Sequence, residues 1–521
     1  MTIAFLCARL SSAMGVNQQY KNIPSTGGLM LLAKHSPDDE AAPQHDDHSH
    51  EVVPLHERRG AGTMGLLWVT MVTAFPSVLI GFQWFKEGLT LSQVLICTAL
   101  SCAILLAYSI PAAYLGAVSG QTYGLLSRQV FGRWGSRLVS CNLLWIFIAW
   151  YGLTALLLAD GLTGLFHLNV PVMFLAAALA VAMAFNNFFG FSGVANFARY
   201  LAAPLLLCMV GYTFLKVAPT CPTTALNAVS QVPIMTALTS VSGYVVGFAV
   251  WGNEPDYWRY GKPNKWLAAL PLTIALAIGQ IVFPVTGWMI SRLSGITEYG
   301  AATSYMNSYA FGGIAAVAAI VLSVAYCASN DSNLYGMINA IENLKKLSHH
   351  KVCAALALIC ASFAAWLSTA GIAKSLESIA SLNCVFLPTV TVIMIAEFFV
   401  VKKLLGQEND FSAVPELSSL PSIKIPAFAA LVIGCTVGVL TSGVIPGLDS
   451  LHVGVCSIQA WLAAAFSYIP LRLIEHRRSI SQAKVYFEEL LSEQINPEPA
   501  RELLTDSIRR NPHGRIHTAD R

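Results

Sequence analysis

Charge is scarce in this sequence. Of 521 residues only 11% are Asp, Glu, Lys or Arg, while 55% are hydrophobic and the mean hydropathy is +0.59. Soluble proteins carry about 25% charged residues. A chain this long cannot cover a water-facing surface with so few, which excludes a soluble globular protein. A net charge of +3 gives no strong attraction to nucleic acid. Twelve cysteines are present without a single C-x-x-C spacing, mostly one at a time inside apolar runs. That pattern speaks against a disulfide framework or a zinc site. They read as small buried hydrophobes, with only Cys221, in a loop, open to reaction. H-E-x-x-H and G-x-S-x-G are missing too, and no His or carboxylate cluster recurs at helical spacing in the apolar runs. An enzyme is not the reading, and neither a metal nor an organic cofactor is expected.

What is present is long apolar runs. Crossing a ~30 Å hydrocarbon core takes about 20 residues of helix. Twelve such runs lie near 65–84, 92–116, 138–162, 170–190, 194–216, 234–253, 266–290, 312–337, 352–371, 377–400, 426–446 and 451–473. The expectation is an all-α polytopic membrane protein with about twelve transmembrane helices, its spanning domain at 61–475. Loops after even-numbered spans hold thirteen Lys and Arg, among them Arg128, Arg133, Arg137, Lys402 and Lys403; loops after odd-numbered spans hold four. Positive charge stays inside. Both termini are therefore expected in the cytoplasm, in a cell membrane.

The ends read as tails. Residues 1–60 open with "MTIAFLCARLSSAMG", too brief an apolar run for a cleaved signal, and continue through "HSPDDEAAPQHDDHSHEVVPLHERR", a solvated low-complexity leader rather than a metal site. Residues 476–521 form the expected cytoplasmic C-terminal tail.

Two spans are interrupted. The first carries Pro76 and Gly81; the sixth carries Gly243, Gly247, Gly252 and Pro255. Proline removes a backbone donor and glycine loosens the helix. Breaks in corresponding places of spans 1–5 and 6–10 point to an inverted-repeat transporter whose site lies at the unwound backbone. Ordinary Pro/Gly kinks are the alternative.

The eighth span poses a further question, because "YCASNDSNLYG" puts polar residues into an apolar helix. A single Asp at the bilayer centre costs roughly 2.5–3.5 kcal/mol on insertion scales, so such groups face protein or a cavity. Ser329, Asn330 and Asn333 can share one helical face. An amide offers a donor and an acceptor, which suits a pyrimidine edge; polar glue between helices is the alternative.

Taken in order, "YLGAVSGQTYGLLSRQVFGRWGS", "AWYG", "PDYWRYGKPNK" and "SNDSNLY" resemble motifs of the nucleobase–cation symporter family, the cytosine permeases in particular. The resemblance covers roughly residues 55–475. It implies a leucine-transporter-like core of ten helices in a five-plus-five inverted repeat, with broken helices 1 and 6. It further implies uptake of a nucleobase such as cytosine or a purine, or a related planar heterocycle, by sodium or proton symport. Asn330 then matches the family Asn that contacts the base, with Asn333 beside it. Trp150 matches the aromatic residue that stacks on the ring. In span 6 Tyr244, Gly247, Phe248 and Trp251 compete for the second stack; Gly247 falls at the aligned place, which favours Phe248 or Tyr244. Backbone carbonyls near Ala74, Phe75 and Val78, with Ser329, hold the ion. Asp256 and Arg259 form a gate or loop anchor, and Asp331 pairs structurally or sits near the cytoplasmic end.

Three positions depart from the family. Phe147 replaces a Gln, which puts cytosine itself in doubt. Ala325 and Ala328 replace an Asn and a hydroxyl residue near the ion, which opens the choice between sodium and proton. Hydroxymethylpyrimidine, allantoin and hydantoins also fit the resemblance, and a sensor or scaffold with lost ion coupling is the other class.

Overall fold

A computed structural model describes residues 48–492 apart from 74, 313, 346, 371 and 453. The structure is all-helical; among the described residues β pairing is confined to an isolated bridge between Arg59 and Gly261. Each of the twelve apolar runs becomes helix. Span 1 is Ala61–Val72 followed by Phe75–Lys86, bent by 46°. Spans 2 and 3 are Leu91–Ser119 and Tyr123–Phe166. Span 4, Val172–Met183, turns through Phe185–Phe189 into span 5, Gly190–Phe197 and Ala203–Val217. Span 6 is Ile234–Ala249, then the short helix Glu254–Trp258. Span 7 joins Lys265–Ala277 to Phe283–Ser294 through a wider turn. Spans 8 to 12 are Ala315–Leu344, His349–Leu367, Ile372–Ile395, Ile425–Thr441 and Cys456–Ser492.

Packing makes the inverted repeat visible. Both halves of span 1 lie against span 7, and both halves of span 6 lie against span 2. Spans 3 and 8 cross each other, as do spans 4 and 9; span 3 touches span 10 where span 8 touches span 5. Exchanging each helix with the one five places later maps this set of neighbours onto itself. The closest approaches follow the same rule. A Cβ on Gly287 of span 7 would collide with the carbonyl of Val78 in span 1, and one on Gly116 of span 2 would meet the backbone of Pro255, 2.6 Å away, in span 6. Small residues let a broken helix lie flat on its partner.

Polarity is turned inside out relative to a soluble protein. Leu100, Phe174, Leu270, Ile320, Trp366 and Phe466 are exposed, whereas Asn187, Glu254, Asp256, Arg259, Asn330 and Asp331 are buried. Such an exterior is matched to lipid, and a buried charge is tolerable only with partners.

Four local features differ from the sequence reading. The link between spans 2 and 3 is mostly helix: span 3 starts at Tyr123, capped by Thr122, and bends at Gly132, where φ is 83°. There Arg133 N and Trp134 N donate to the carbonyls of Pro421 and Ser422 at 3.0 and 2.9 Å, which frees a stretch of backbone to form a bend instead of a loop. A helix, Tyr299–Phe311, fills the connection from span 7 to span 8. The leader expected to extend to residue 60 is held from residue 48 onward: His48 O accepts from Arg259 at 2.6 Å, and Val53 N donates to Gly120 O at 2.9 Å. Span 12 continues past 475 to Ser492, so the C-terminal segment begins as helix.

Candidate functional site

Both broken spans leave backbone groups without helical partners, and side chains from neighbouring helices take them up. At the first break Thr73 is extended, and Gln280 of span 7 donates to the carbonyl of Val72 at 2.6 Å. At the sixth, Gly252 adopts φ 82°, a conformation closed to most residues. Asn383 of span 10 donates to the carbonyls of Gly247 and Val250 at 3.0 and 2.8 Å. The carboxylate of Glu254 accepts from the amides of Trp251 and Gly252, both at 3.3 Å, and from the Tyr108 hydroxyl at 2.7 Å. Glu254, the first residue of the second half of span 6, thus takes up amides on the other side of the break.

Between the two breaks lies a cavity. Met71 and Pro76 from span 1, Trp150 and Thr154 from span 3, Phe248 and Trp251 from span 6, Ser329 and Asn333 from span 8 and Asn383 from span 10 are among its walls. Aromatic faces and a few polar groups converge, as small-molecule sites require. Its volume is about 30 Å³, room for one or two waters. Trp150 and Phe248 meet edge-on at its wall, ring centroids 5.7 Å apart and planes at 83°. Phe147 meets Trp251 edge-on at 5.6 Å. In this conformation the rings close on one another, and a heterocycle enters only when they part.

Of the residues singled out from the sequence, Phe147, Trp150, Phe248, Ser329 and Asn333 come together here. Tyr244 does not; it stacks behind Phe248 at 5.4 Å with planes 7° apart, and so buttresses that ring. Gly247 stands off the wall as well, its added Cβ meeting Ala380 of span 10. Asn330 is the main departure. Fully buried, it donates to the Tyr151 carbonyl and the Met183 sulfur, both at 3.1 Å, and its oxygen accepts from Asn333 at 3.1 Å. Successive helical residues point about 100° apart, so Ser329 and Asn333 face the cavity together while Asn330 turns toward span 3.

Asp331 is buried in midchain rather than at a helix end. Asn186 and Asn187, at the corner between spans 4 and 5, donate to its carboxylate at 2.8 and 3.3 Å. Asp256 and Arg259 are buried anchors. Tyr123 N and the Asn253 amide donate to Asp256, each at 2.8 Å. Arg259 donates to the Asp256 carbonyl at 3.2 Å and to the Tyr335 hydroxyl at 2.6 Å. For the ion, Ser329 lines the same cavity as Met71 and Pro76, and span 8 packs against both halves of span 1. The Val78 carbonyl faces Gly287 of span 7 instead of span 8. Ala74 and the side chain of Phe75 lie outside the described residues.

Sequence reasoning missed Thr154, Tyr326 and, above all, Asn383, while Trp251, a competitor for the second stack, does line the cavity. An Asn within the apolar run "SLNCVFLPTV" was the available signal. Its Oδ1 is buried beside the cavity with no hydrogen-bond partner among the described residues, and can accept from a ligand N–H.

Comparison with known proteins converges on the same reading. The family described as "Permease for cytosine/purines, uracil, thiamine, allantoin" matches residues 53–472. The cytosine permease of Escherichia coli (strain K12) is 23% identical over 442 residues, which span 84% of this chain and 96% of that protein. Among solved structures, a nucleobase-cation-symport-1 family transporter in a closed conformation with bromovinylhydantoin bound superposes with a TM-score of 0.64. It is 18% identical and covers 82% of this chain and 95% of its own. A sodium-coupled sialic acid symporter in a substrate-bound, outward-open state gives 0.57 at 13% identity, over 80% of this chain and 90% of that one. The structural likenesses carry the fold, and the match over residues 53–472 carries membership: this chain belongs to the family of permeases for cytosine/purines, uracil, thiamine and allantoin, and is a multi-pass membrane transporter, not an enzyme.

Proposed function

We propose that this permease imports an uncharged planar heterocycle of the nucleobase class, stacked on Trp150 and hydrogen-bonded by Asn333 and Asn383. The single observation that carries the reading is the meeting of Trp150, Phe248, Asn333 and Asn383 around one cavity at the breaks of spans 1 and 6. Stacking selects flat rings. A neutral ligand is favoured because the N–H groups at the sixth break are already occupied by Glu254. With Phe147 at the wall, one side of the ring meets hydrocarbon instead of an amide. That weighs against tight cytosine binding.

The coupling cation is held, in this reading, where Ser329 faces the first break. Ala325 and Ala328 bring no side-chain oxygen there, so sodium binds weakly and proton-driven uptake competes. Orientation follows the positive-inside bias, with both termini cytoplasmic in the cell membrane.

The test is uptake of labelled heterocycles (cytosine, purines, uracil, hydroxymethylpyrimidine, allantoin, hydantoins) into vesicles containing the purified protein, under an imposed sodium or pH gradient. Accumulation above equilibrium of at least one compound is expected. Binding without accumulation would favour the sensor reading, and neither binding nor uptake across the panel would reject the proposal.

A further inference from the structure

Cys384 and Cys456 are 72 residues apart in sequence, and their sulfurs stand 3.8 Å from each other. Cys384 lies on span 10, fully buried, its thiol donating to the Ser381 carbonyl at 3.2 Å. Cys456 is the first residue of span 12 and is partly exposed. The helices are already tied at this level, since the Trp461 indole of span 12 donates to the Cys384 carbonyl at 3.0 Å. Singly placed cysteines in apolar runs gave no sign of this pairing; only the packing of span 12 on span 10 creates it.

We propose that Cys384 and Cys456 form a dithiol site that closes to a disulfide and, once closed, arrests transport. A disulfide needs sulfurs about 2.05 Å apart, so less than 2 Å of approach is required, within reach of side-chain rotation. The oxidant is an external disulfide. Cys456, the more exposed thiol, attacks it as thiolate and releases one half as a thiol. Cys384 then attacks the Cys456 sulfur of the mixed disulfide and releases the other half. Two protein thiols lose their hydrogens, and the external disulfide becomes two thiols.

The link matters for transport because the residue before Cys384 is Asn383. Asn383 forms part of the cavity wall and holds the carbonyls of Gly247 and Val250 at the sixth break. A cavity of about 30 Å³ must enlarge to admit a ring. A covalent tie from this segment of span 10 to span 12, which lies outside the ten-helix repeat, opposes that movement. Cys456 begins span 12, next to the loop after span 11 and so at the end opposite the Lys- and Arg-rich loops, which the orientation proposed above places outside the cell.

The experiment adds glutathione disulfide to intact cells expressing the full-length chain, with a permeabilised sample alongside, and maps peptides without reduction. The expected result in intact cells is a peptide linking Cys384 to Cys456. Heterocycle uptake should fall by about five-fold or more and return when the link is reduced by an external thiol. Cys456→Ser should keep basal uptake and lose the sensitivity. No linked peptide in either sample would overturn the site. Linkage with unchanged uptake, or a sensitive Cys456→Ser variant, would overturn the arrest. Linkage only after permeabilisation would overturn the outward placement. Because the peptide map does not depend on uptake, a failure to transport any compound would count against the proposed substrate class and not against the thiol pair.

Discussion

Asn383 holds the carbonyl of Val250 at 2.8 Å from across the break in span 6. With the same amide bonded to Gly247 O at 3.0 Å, one side chain satisfies two acceptors that an unbroken helix would have satisfied itself. Buried carbonyls left unpaired cost about 1–3 kcal/mol each. Asn383→Ala should therefore lower the thermal midpoint of the detergent-solubilised protein and weaken ligand binding together. A variant with wild-type stability and affinity would show that the break does not depend on this residue.

Trp150 should carry a larger share of binding than any other ring. Stacks of bases on aromatic side chains are worth about 1–3 kcal/mol, so Trp150→Ala should weaken binding roughly 5- to 150-fold, with Trp150→Phe recovering part. Titration of the purified variants reads this directly. Unchanged affinity in a folded Trp150→Ala protein would remove Trp150 from the site.

The two asparagines of span 8 should separate. Asn333→Ala, at the cavity wall, is expected to lose affinity with near-normal folding. Asn330→Ala strips partners from Tyr151 O and Asn333, so it should destabilise by about 1–3 kcal/mol. Thermal unfolding beside ligand titration distinguishes them. The opposite pattern would restore Asn330 as the ligand-contacting residue.

Sodium should stimulate uptake weakly, and Ser329→Ala should abolish most of whatever stimulation exists. Vesicles under a sodium gradient alone, then a pH gradient alone, give the comparison. Saturable, high-affinity sodium stimulation that survives Ser329→Ala would place the ion elsewhere.

Close helix contact at Gly287 should be intolerant of a single methyl. An added Cβ there runs into the Val78 backbone carbonyl, so one of the two helices must shift. Overpacking of this kind typically costs 1–3 kcal/mol, so Gly287→Ala should reduce the folded yield and transport, whereas Gly295→Ala, with open space around it but φ 70°, should show only the backbone strain. Equal effects at the two positions would contradict the repeat packing described above.

Much of this protein is legible without coordinates. Low charge, twelve apolar runs and the Pro/Gly breaks at Pro76 and Gly247–Pro255 determined a polytopic helical transporter, because hydrocarbon permits only helices whose backbone groups are satisfied, and breaks must line a cavity. The order of motifs determined the family, and the register of span 3 singled out Trp150. Direction around a helix was harder. Ser329, Asn330 and Asn333 are all polar, but which of them sees the cavity depends on where spans 3 and 4 lie. Packing set the Asn330 amide against Tyr151 and Met183, away from the cavity wall. The partners of isolated polar residues were likewise invisible: Asn383 is one amide in an apolar run, and Cys384 and Cys456 read as two unrelated buried thiols. Sequence periodicity reports which groups avoid lipid, since that depends on each residue's own solvation. Which groups meet inside the bundle depends on contacts between helices tens to hundreds of residues apart, and those only the tertiary structure decides.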